Sequence, residues 1–213
     1  MILRRPISTH ALLAGALAMS VGMSAMAFTT TISSSTTKAL YLRVGDGSIT
    51  GGNGTYQGGG TPTNNSTINV VTVSVPAASV GNATAQAMTG TSRTTSDWDG
   101  YAFCNAGQTY IGGFYRYTSS GGTAVLSAQS SSPLTDGAGN NIPFTQISWT
   151  SSGNGDTGTQ PIPAGTFNGS TQTLANFPVN TWQESCHNFS YANSAVVPAG
   201  TFNGRVTYTL ASP

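Results

Sequence analysis

The sequence predicts an all-β protein with the architecture of a sandwich or a barrel. β-Branched and aromatic residues recur in short runs, and clusters of Gly, Ser, Asn and Pro separate these runs. No segment shows the 3.6-residue apolar period of an amphipathic helix. Repeated strand-and-turn units without helices between them are typical of sandwiches and barrels. The runs predict strands over residues 38–44, 67–75, 109–117, 123–129, 144–150, 172–175, 188–192 and 201–210.

The N-terminus has the form of a secretory signal peptide. Arg4 and Arg5 precede an apolar run over residues 11–21, and the sequence Ala-Met-Ala at residues 25–27 is an A-x-A cleavage site. The run is too short to cross about 30 Å of hydrocarbon, and Gly15 and Ser20 interrupt it, with Gly22 directly after it. We therefore expect residues 1–27 to be cleaved, the chain to be exported through the periplasm, and the mature protein to have no membrane span.

Residues 28–213 are enough for one domain with a sizeable core. We divide them into an N-terminal arm, residues 28–37, and one β-domain, residues 38–213. Five Lys and Arg remain in this part against six Asp and Glu, without a run of either sign. Nucleic acid requires clustered Lys and Arg contacts with phosphates, so the composition argues against a nucleic-acid partner.

Three stretches inside the domain interrupt the simple alternation of strands and turns. Within residues 67–75 the apolar parity changes after Val70, which predicts a β-bulge or burial on both faces. Residues 45–61 and 151–158 are rich in glycine and predict loops. Neither loop ends in the Gly-Lys-Ser/Thr of a phosphate-binding loop.

The chain has two cysteines, Cys104 and Cys186. An even number of cysteines in an exported chain predicts one intramolecular disulfide. There is no C-x-x-C motif, and His187 is the one histidine after the predicted cleavage site. We therefore predict no metal site, and nothing in the sequence indicates a cofactor.

Three groups of residues contain side chains that could take part in catalysis. Residues 97–99 (Asp-Trp-Asp) and 136–141 combine carboxylates with turn formers, but Asx-turns explain both, and the twelve-residue calcium spacing is absent. Ser185 and His187 would share one face of a strand without the side-chain contact that activates a nucleophile. We expect no catalytic residues and predict that the protein is not an enzyme.

Aromatic residues concentrate in and just before the predicted strand 109–117. Tyr115 and Tyr117 share one parity of this strand, and Trp98 and Tyr101 precede it. Aromatic side chains can form platforms for sugar rings, or they can fill a core and pair across strands. Both interpretations remain open from the sequence.

The C-terminal segment has the clearest alternation in the chain. Phe202, Gly204, Val206, Tyr208 and Leu210 fall on one parity, and polar residues occupy the other. This pattern predicts a half-buried strand with one apolar face. Its beginning, Pro-Ala-Gly-Thr-Phe-Asn-Gly, also occurs at residues 163–169, and the Asn-Gly pair could interrupt the strand after Phe202.

The signal peptide, the single disulfide, the low charge and the alternating C-terminal strand together resemble subunits of bacterial chaperone–usher pili and the related spore-coat-U-type secreted domains. In that family a Gly about fourteen residues from the end begins the last strand, and a Tyr lies next to the C-terminus. Gly200 is fourteenth from the end, whereas Tyr208 is sixth from the end. The family's cysteines lie closer together and nearer the start than those of this chain.

The resemblance implies an immunoglobulin-like β-sandwich that is completed by a donor strand. It implies a structural subunit of a surface fibre, a pilus or fimbria, built from copies of this chain with a periplasmic chaperone and an outer-membrane usher as assembly partners. The expected donor side chains are Phe28, Thr30 and Ile32. The expected contacts on the C-terminal strand are Phe202, Val206, Tyr208 and Leu210.

The alternative is a secreted or fibre-tip adhesin that binds carbohydrate. Its expected ligand-binding side chains are the aromatic residues Trp98, Tyr101, Tyr115 and Tyr117.

Overall fold

The structure is a computed structural model and describes residues 29–59, 61–62, 69–91, 93–118 and 120–213. The predicted signal peptide and Phe28 lie outside these residues. The described chain is an all-β protein, as predicted, with two short 3-10 helices, Ala77–Ser79 and Phe144–Gln146. Its strands are β1 (Thr29–Thr31), β2 (Ala39–Val44), β3 (Ile49–Thr50), β4 (Thr61–Pro62), β5 (Val71–Thr72), β6 (Gln86–Ala87), β7 (Thr89–Gly90), β8 (Thr109–Arg116), β9 (Thr123–Gln129), β10 (Leu134–Thr135), β11 (Asn141–Ile142), β12 (Ile147–Ser152), β13 (Gly165–Thr166), β14 (Thr171–Pro178), β15 (Thr181–Tyr191) and β16 (Thr207–Ala211).

Two antiparallel sheets form the layers of a sandwich. The larger sheet has the order β13-β12-β15-β8-β2, and the short strands β1 and β6 also pair with β15. The smaller sheet has the order β14-β9-β16. β15 is the central strand of the larger sheet: β8 and β6 lie along one edge, and β1 and β12 follow one another along the other.

The main core lies between the inner faces of the two sheets. β8 contributes Ile111 and Tyr115, β9 contributes Leu126, and β14 contributes Phe177, all of them fully buried. β9 alternates buried and accessible residues along its length, as expected for a strand with one face on the core. This alternation explains why the predicted bounds of β9 match those in the structure.

A second layer covers the outer face of the larger sheet. Tyr41, Phe114 and Trp182 form an aromatic cluster there, and Tyr56 and Trp98 pack against it from two loops. The loop that carries Trp98 is tied to β15 by the disulfide between Cys104 and Cys186. The predicted intramolecular disulfide is therefore confirmed.

A buried polar network joins this outer loop to the sheet. The Tyr110 hydroxyl donates a hydrogen bond of 2.5 Å to Glu184 and accepts one of 3.1 Å from the backbone N–H of Asp97. The Ser96 hydroxyl also donates to Glu184, at 2.8 Å. Burial raises the pKa of the Glu184 carboxyl and that of the Tyr110 hydroxyl. Asp97 is also held by ion pairs with two arginines, Arg43 and Arg93.

Gly112 makes this network possible. Arg43, Gly112 and Glu184 are opposite one another on three adjacent strands, so Gly112 leaves an empty position in the middle of the row. The Tyr110 ring occupies this position, because a Cβ on Gly112 would overlap the ring and its hydroxyl. The missing side chain therefore places the hydroxyl beside Glu184.

Several predicted strands differ from the observed ones. Residues 201–210 are not one strand: β16 begins at Thr207, and Asn203 forms an isolated bridge with Thr135 through two hydrogen bonds of 2.9 Å. The Asn-Gly pair interrupts the strand, and Gly204 packs so closely against Leu134 that little room remains for a side chain. The first half of β15, which the sequence did not indicate, is the centre of the larger sheet.

We predict that Gly112→Ala destabilises the fold by about 2–3 kcal/mol, because the added methyl group forces the Tyr110 ring out of place. Gly200→Ala is the matched control, since a Cβ at Gly200 meets its neighbours at ordinary contact distances of 3.6 Å and more. Urea unfolding of both variants measures the effect. Equal stability of the two variants would show that the Tyr110 ring does not depend on the empty position at Gly112.

Candidate functional site

The sandwich has an open side between the edge strands β2 and β16. Among the described strands, β2 forms a ladder with β8 alone and β16 forms one with β9 alone. β2 belongs to the larger sheet and β16 to the smaller one, and the two strands lie near each other without a shared ladder. Each therefore presents one edge to this side of the molecule.

The inward-facing side chains of these two strands are not fully covered. On β2, Leu40 is 43% exposed and Leu42 is half-buried, whereas Tyr115, opposite Leu40 on β8, is fully buried. On β16, Tyr208 and Leu210 are half-buried and pack against the main core. The open side is therefore an apolar groove in which core-type side chains remain accessible. We call it the β2–β16 groove.

The groove deepens into a cavity of about 440 Å³ near the end of β2 and the start of β16. Its lining includes Val44, Val71, Phe144, Phe189, Val206 and Tyr208. Thr109 also lines this cavity, and its hydroxyl is buried without a hydrogen-bond partner within the described part of the chain. An occupant with an apolar side chain would match these walls.

Side chains close the groove at each end of β2. At one end the Asn69 amide donates a hydrogen bond of 2.5 Å to the Val44 carbonyl and accepts one of 3.0 Å from the backbone N–H of Asp46. At the other end Lys38 donates a hydrogen bond of 2.7 Å to the Pro213 carbonyl. The accessible length of the groove is thus about that of one short strand, since β2 has six residues.

The structure places the predicted C-terminal contacts along this groove. Val206 and Tyr208 line its cavity, and Leu210 follows on the same face of β16. Phe202 precedes the strand and packs against the main core.

The predicted donor side chains lie elsewhere in the single chain. Thr30 is opposite Trp182, because β1 pairs with the first residues of β15. Ile32 is only 7% exposed and packs in the outer aromatic cluster with Trp182. Phe28, the third predicted donor residue, is outside the described residues.

The four aromatic residues predicted for carbohydrate binding do not form one surface. Tyr115 is fully buried in the main core, because β8 is covered on both faces, and its hydroxyl donates to the Gly121 carbonyl at 3.0 Å. Tyr117 packs near Lys38 against the same core. Trp98 lies on the opposite face of the larger sheet against Trp182, and Tyr101 is 54% exposed.

The side chains of Ser185 and His187 each contact the backbone of Ile162. The Ser185 hydroxyl accepts a hydrogen bond of 3.1 Å from the Ile162 N–H, and His187 Nε2 lies 3.2 Å from the Ile162 carbonyl. The His187 ring also stacks on Trp149 at 5.6 Å. Burial lowers the pKa of His187 to about 4. Both side chains thus hold this segment on the inner face of β15.

Within the described ranges, no group of three or more His, Cys, Asp or Glu side chains is placed to hold a metal ion. Neither of the two described helices has the length and hydropathy to cross a membrane. No protein-family model, curated protein or solved structure matches this chain.

Only one wall of the groove was predicted from the sequence. The β16 wall was predicted from its alternation, but the β2 wall was not, although Leu40, Leu42 and Val44 alternate in the same way. The β2 wall could have been predicted from the same alternation, because two alternating strands at opposite ends of a chain are both candidates for the edges of sheets.

We predict that His187 makes stability fall on acidification. Its pKa is lower in the folded state than the value of about 6.5 in the unfolded chain, so its contribution is retained above pH 6.5 and lost as the pH falls toward 4. Urea unfolding should show that the wild type loses about 3 kcal/mol more between pH 7 and pH 4 than His187→Gln does.

The comparison with His187→Gln is required because Glu184, whose pKa is raised, acts in the opposite direction over acidic pH. Glu184 is present in both proteins, so its effect cancels in the difference. Identical pH profiles for the two proteins would contradict the lowered pKa of His187.

Proposed function

We propose that the mature chain is a structural subunit of a bacterial surface fibre, in which an extended strand of a neighbouring copy adds to the β2–β16 groove. The observation that carries this proposal is the groove itself, where core-type side chains stay accessible between two strands that each offer a free edge. Soluble proteins ordinarily cover or blunt such edges, because an exposed apolar edge invites pairing with another chain.

Strand addition fits the chemistry of the groove. An added strand gains main-chain hydrogen bonds from an edge strand, and its alternate side chains enter pockets that fix the register. Leu40, Leu42 and Leu210 would lose their remaining exposure, at about 25 cal/mol for each Å² of apolar surface that is covered.

The proposed donor is the N-terminal arm, residues 28–37, of the next copy. Phe28, Thr30 and Ile32 share one parity, so an extended arm presents them on a single side. The arm immediately precedes β2 in the sequence, so each subunit carries both a donor and an acceptor groove. The donor and the acceptor are different surfaces, so the contact is heterologous, and it produces an open fibre when the rotation between neighbours does not close a ring.

Two observations support a chaperone and an usher as further partners. They are the signal-peptide pattern of the sequence and the exposed groove. An exported chain with an uncovered apolar groove is prone to misassociation before it is assembled. We propose that a periplasmic chaperone covers the groove in transit, and that an outer-membrane usher passes the subunit to the cell surface.

We predict that Leu40→Glu prevents fibre formation by the mature chain, because it places a charge in the groove that an added strand would bury. Val125→Glu is the matched control: Val125 is 38% exposed, close to the 43% of Leu40, but it lies on the face of the smaller sheet that points away from the core. Sedimentation and negative-stain electron microscopy measure assembly, and circular dichroism confirms that both variants fold.

The expected result is fibres from the wild type and Val125→Glu and monomers from Leu40→Glu. A wild-type chain that remains a stable monomer with or without a chaperone would reject strand addition. Equal assembly of the two variants would reject the groove as the acceptor.

A further inference from the structure

The N-terminal arm is docked on its own domain in the single chain. β1 pairs with β15 in the register Thr29 to Gln183, Thr30 to Trp182 and Thr31 to Thr181. This ladder covers the edge of the central strand just beyond the end of β12. The arm thus completes the larger sheet at a position remote from the β2–β16 groove.

Two further contacts hold the arm after β1 ends. The Ile32 N–H donates a hydrogen bond of 2.9 Å to the Asn180 carbonyl, and the Ser35 N–H donates one of 3.4 Å to the Tyr117 carbonyl. The Ile32 side chain is buried among Tyr41 and the other aromatic residues of the outer cluster.

The docked arm uses the same parity that a donated arm would use. Thr30 and Ile32 face the outer cluster in the single chain, and they are the side chains that would enter the groove of a neighbour. One arm cannot occupy both sites, because the same side chains and the same backbone groups would be needed twice.

We propose that the docked arm is an inhibitory contact: the arm must leave β15 and the Ile32 pocket before it can add to the groove of a second copy. This inference rests on the proposed function and adds a regulatory step to it, the release of the arm. The strength of the contact between β1 and β15 then sets how readily purified subunits assemble.

The experiment locks the arm with a disulfide between Thr31→Cys and Thr181→Cys in the mature chain. Thr31 and Thr181 are directly opposite on antiparallel strands, and neither is fully buried. Opposite residues of such a pair have Cα atoms about 4.5–5.5 Å apart, which suits a disulfide. Mild reduction should open this accessible bond and leave the buried bond between Cys104 and Cys186 intact.

A second pair of variants changes the contact without a covalent bond. Thr31→Asp with Thr181→Asp places like charges opposite each other, and Thr31→Lys with Thr181→Asp places opposite charges there. Thr31 has the parity that faces away from the groove in a donated arm. The single variants Thr31→Asp and Thr31→Lys report any effect at the acceptor.

The expected result is no assembly of the oxidised double-cysteine chain and normal assembly after reduction. The like-charge variant should assemble about two- to fivefold faster than the wild type and the opposite-charge variant slower by a similar factor, after correction by the single variants. Equal assembly of the oxidised and reduced chains, or equal rates for the two charge pairs, would overturn the inhibitory contact alone. Failure of every chain to assemble, including the reduced one, would overturn the proposed function and this inference together.

Discussion

Burial of the polar strand β15 on both faces is the constraint on which the rest of the structure depends. Both faces of this strand carry buried polar side chains, namely Gln183, Glu184, Ser185 and His187. Polar groups in the interior need hydrogen-bond partners. The outer face obtains them from the loop that carries Ser96, with its disulfide to the same strand. On the inner face, Ser185 and His187 Nε2 obtain them from the backbone of Ile162. Without the hydrogen bonds from these two segments, burial of the polar side chains of β15 would cost too much free energy.

The open side of the sandwich is a consequence of where these coverings lie. The loops that carry Tyr56 and Trp98 pack on the outer face of the larger sheet, and the segment around Ile162 closes the inner face near β12 and β15. Among the described residues, neither Tyr56 nor Trp98 nor Ile162 lines the cavity between β2 and β16. The apolar side chains of the two edge strands therefore keep part of their exposure. A groove of this kind gains stability from any strand that fills it.

The sequence predicts those parts of the fold in which one face is apolar and the other polar. β9 was predicted with its observed bounds because it alternates cleanly, and the disulfide was predicted from the even cysteine count of a chain expected to be exported. The first half of β15 was missed because Gln183 to His187 are polar on both parities, so that only tertiary contacts account for their burial. Tyr115 could not be assigned from its parity alone, since β8 is covered on both faces. Alternation predicted the β16 wall of the groove. That β2 and β16 each lack a partner on one edge depends on the topology of the sheets, which a local sequence pattern cannot predict.

In the proposed fibre the arm has two alternative positions, and the competition between them can be expressed as a concentration. A segment attached by a short linker experiences an effective concentration at its own site on the order of millimolar, whereas subunits meet one another at micromolar concentrations. Donation is therefore disfavoured by roughly a thousandfold unless the groove binds the arm more tightly, which corresponds to about 4 kcal/mol. The β1 contact is short, three residue pairs and one buried isoleucine, whereas the groove extends along all of β2 and has a cavity at its end. A longer ladder with deeper pockets is the physical means by which a neighbour's groove can outcompete the arm's own domain, and a chaperone strand in the groove would delay that exchange until subunits are brought together.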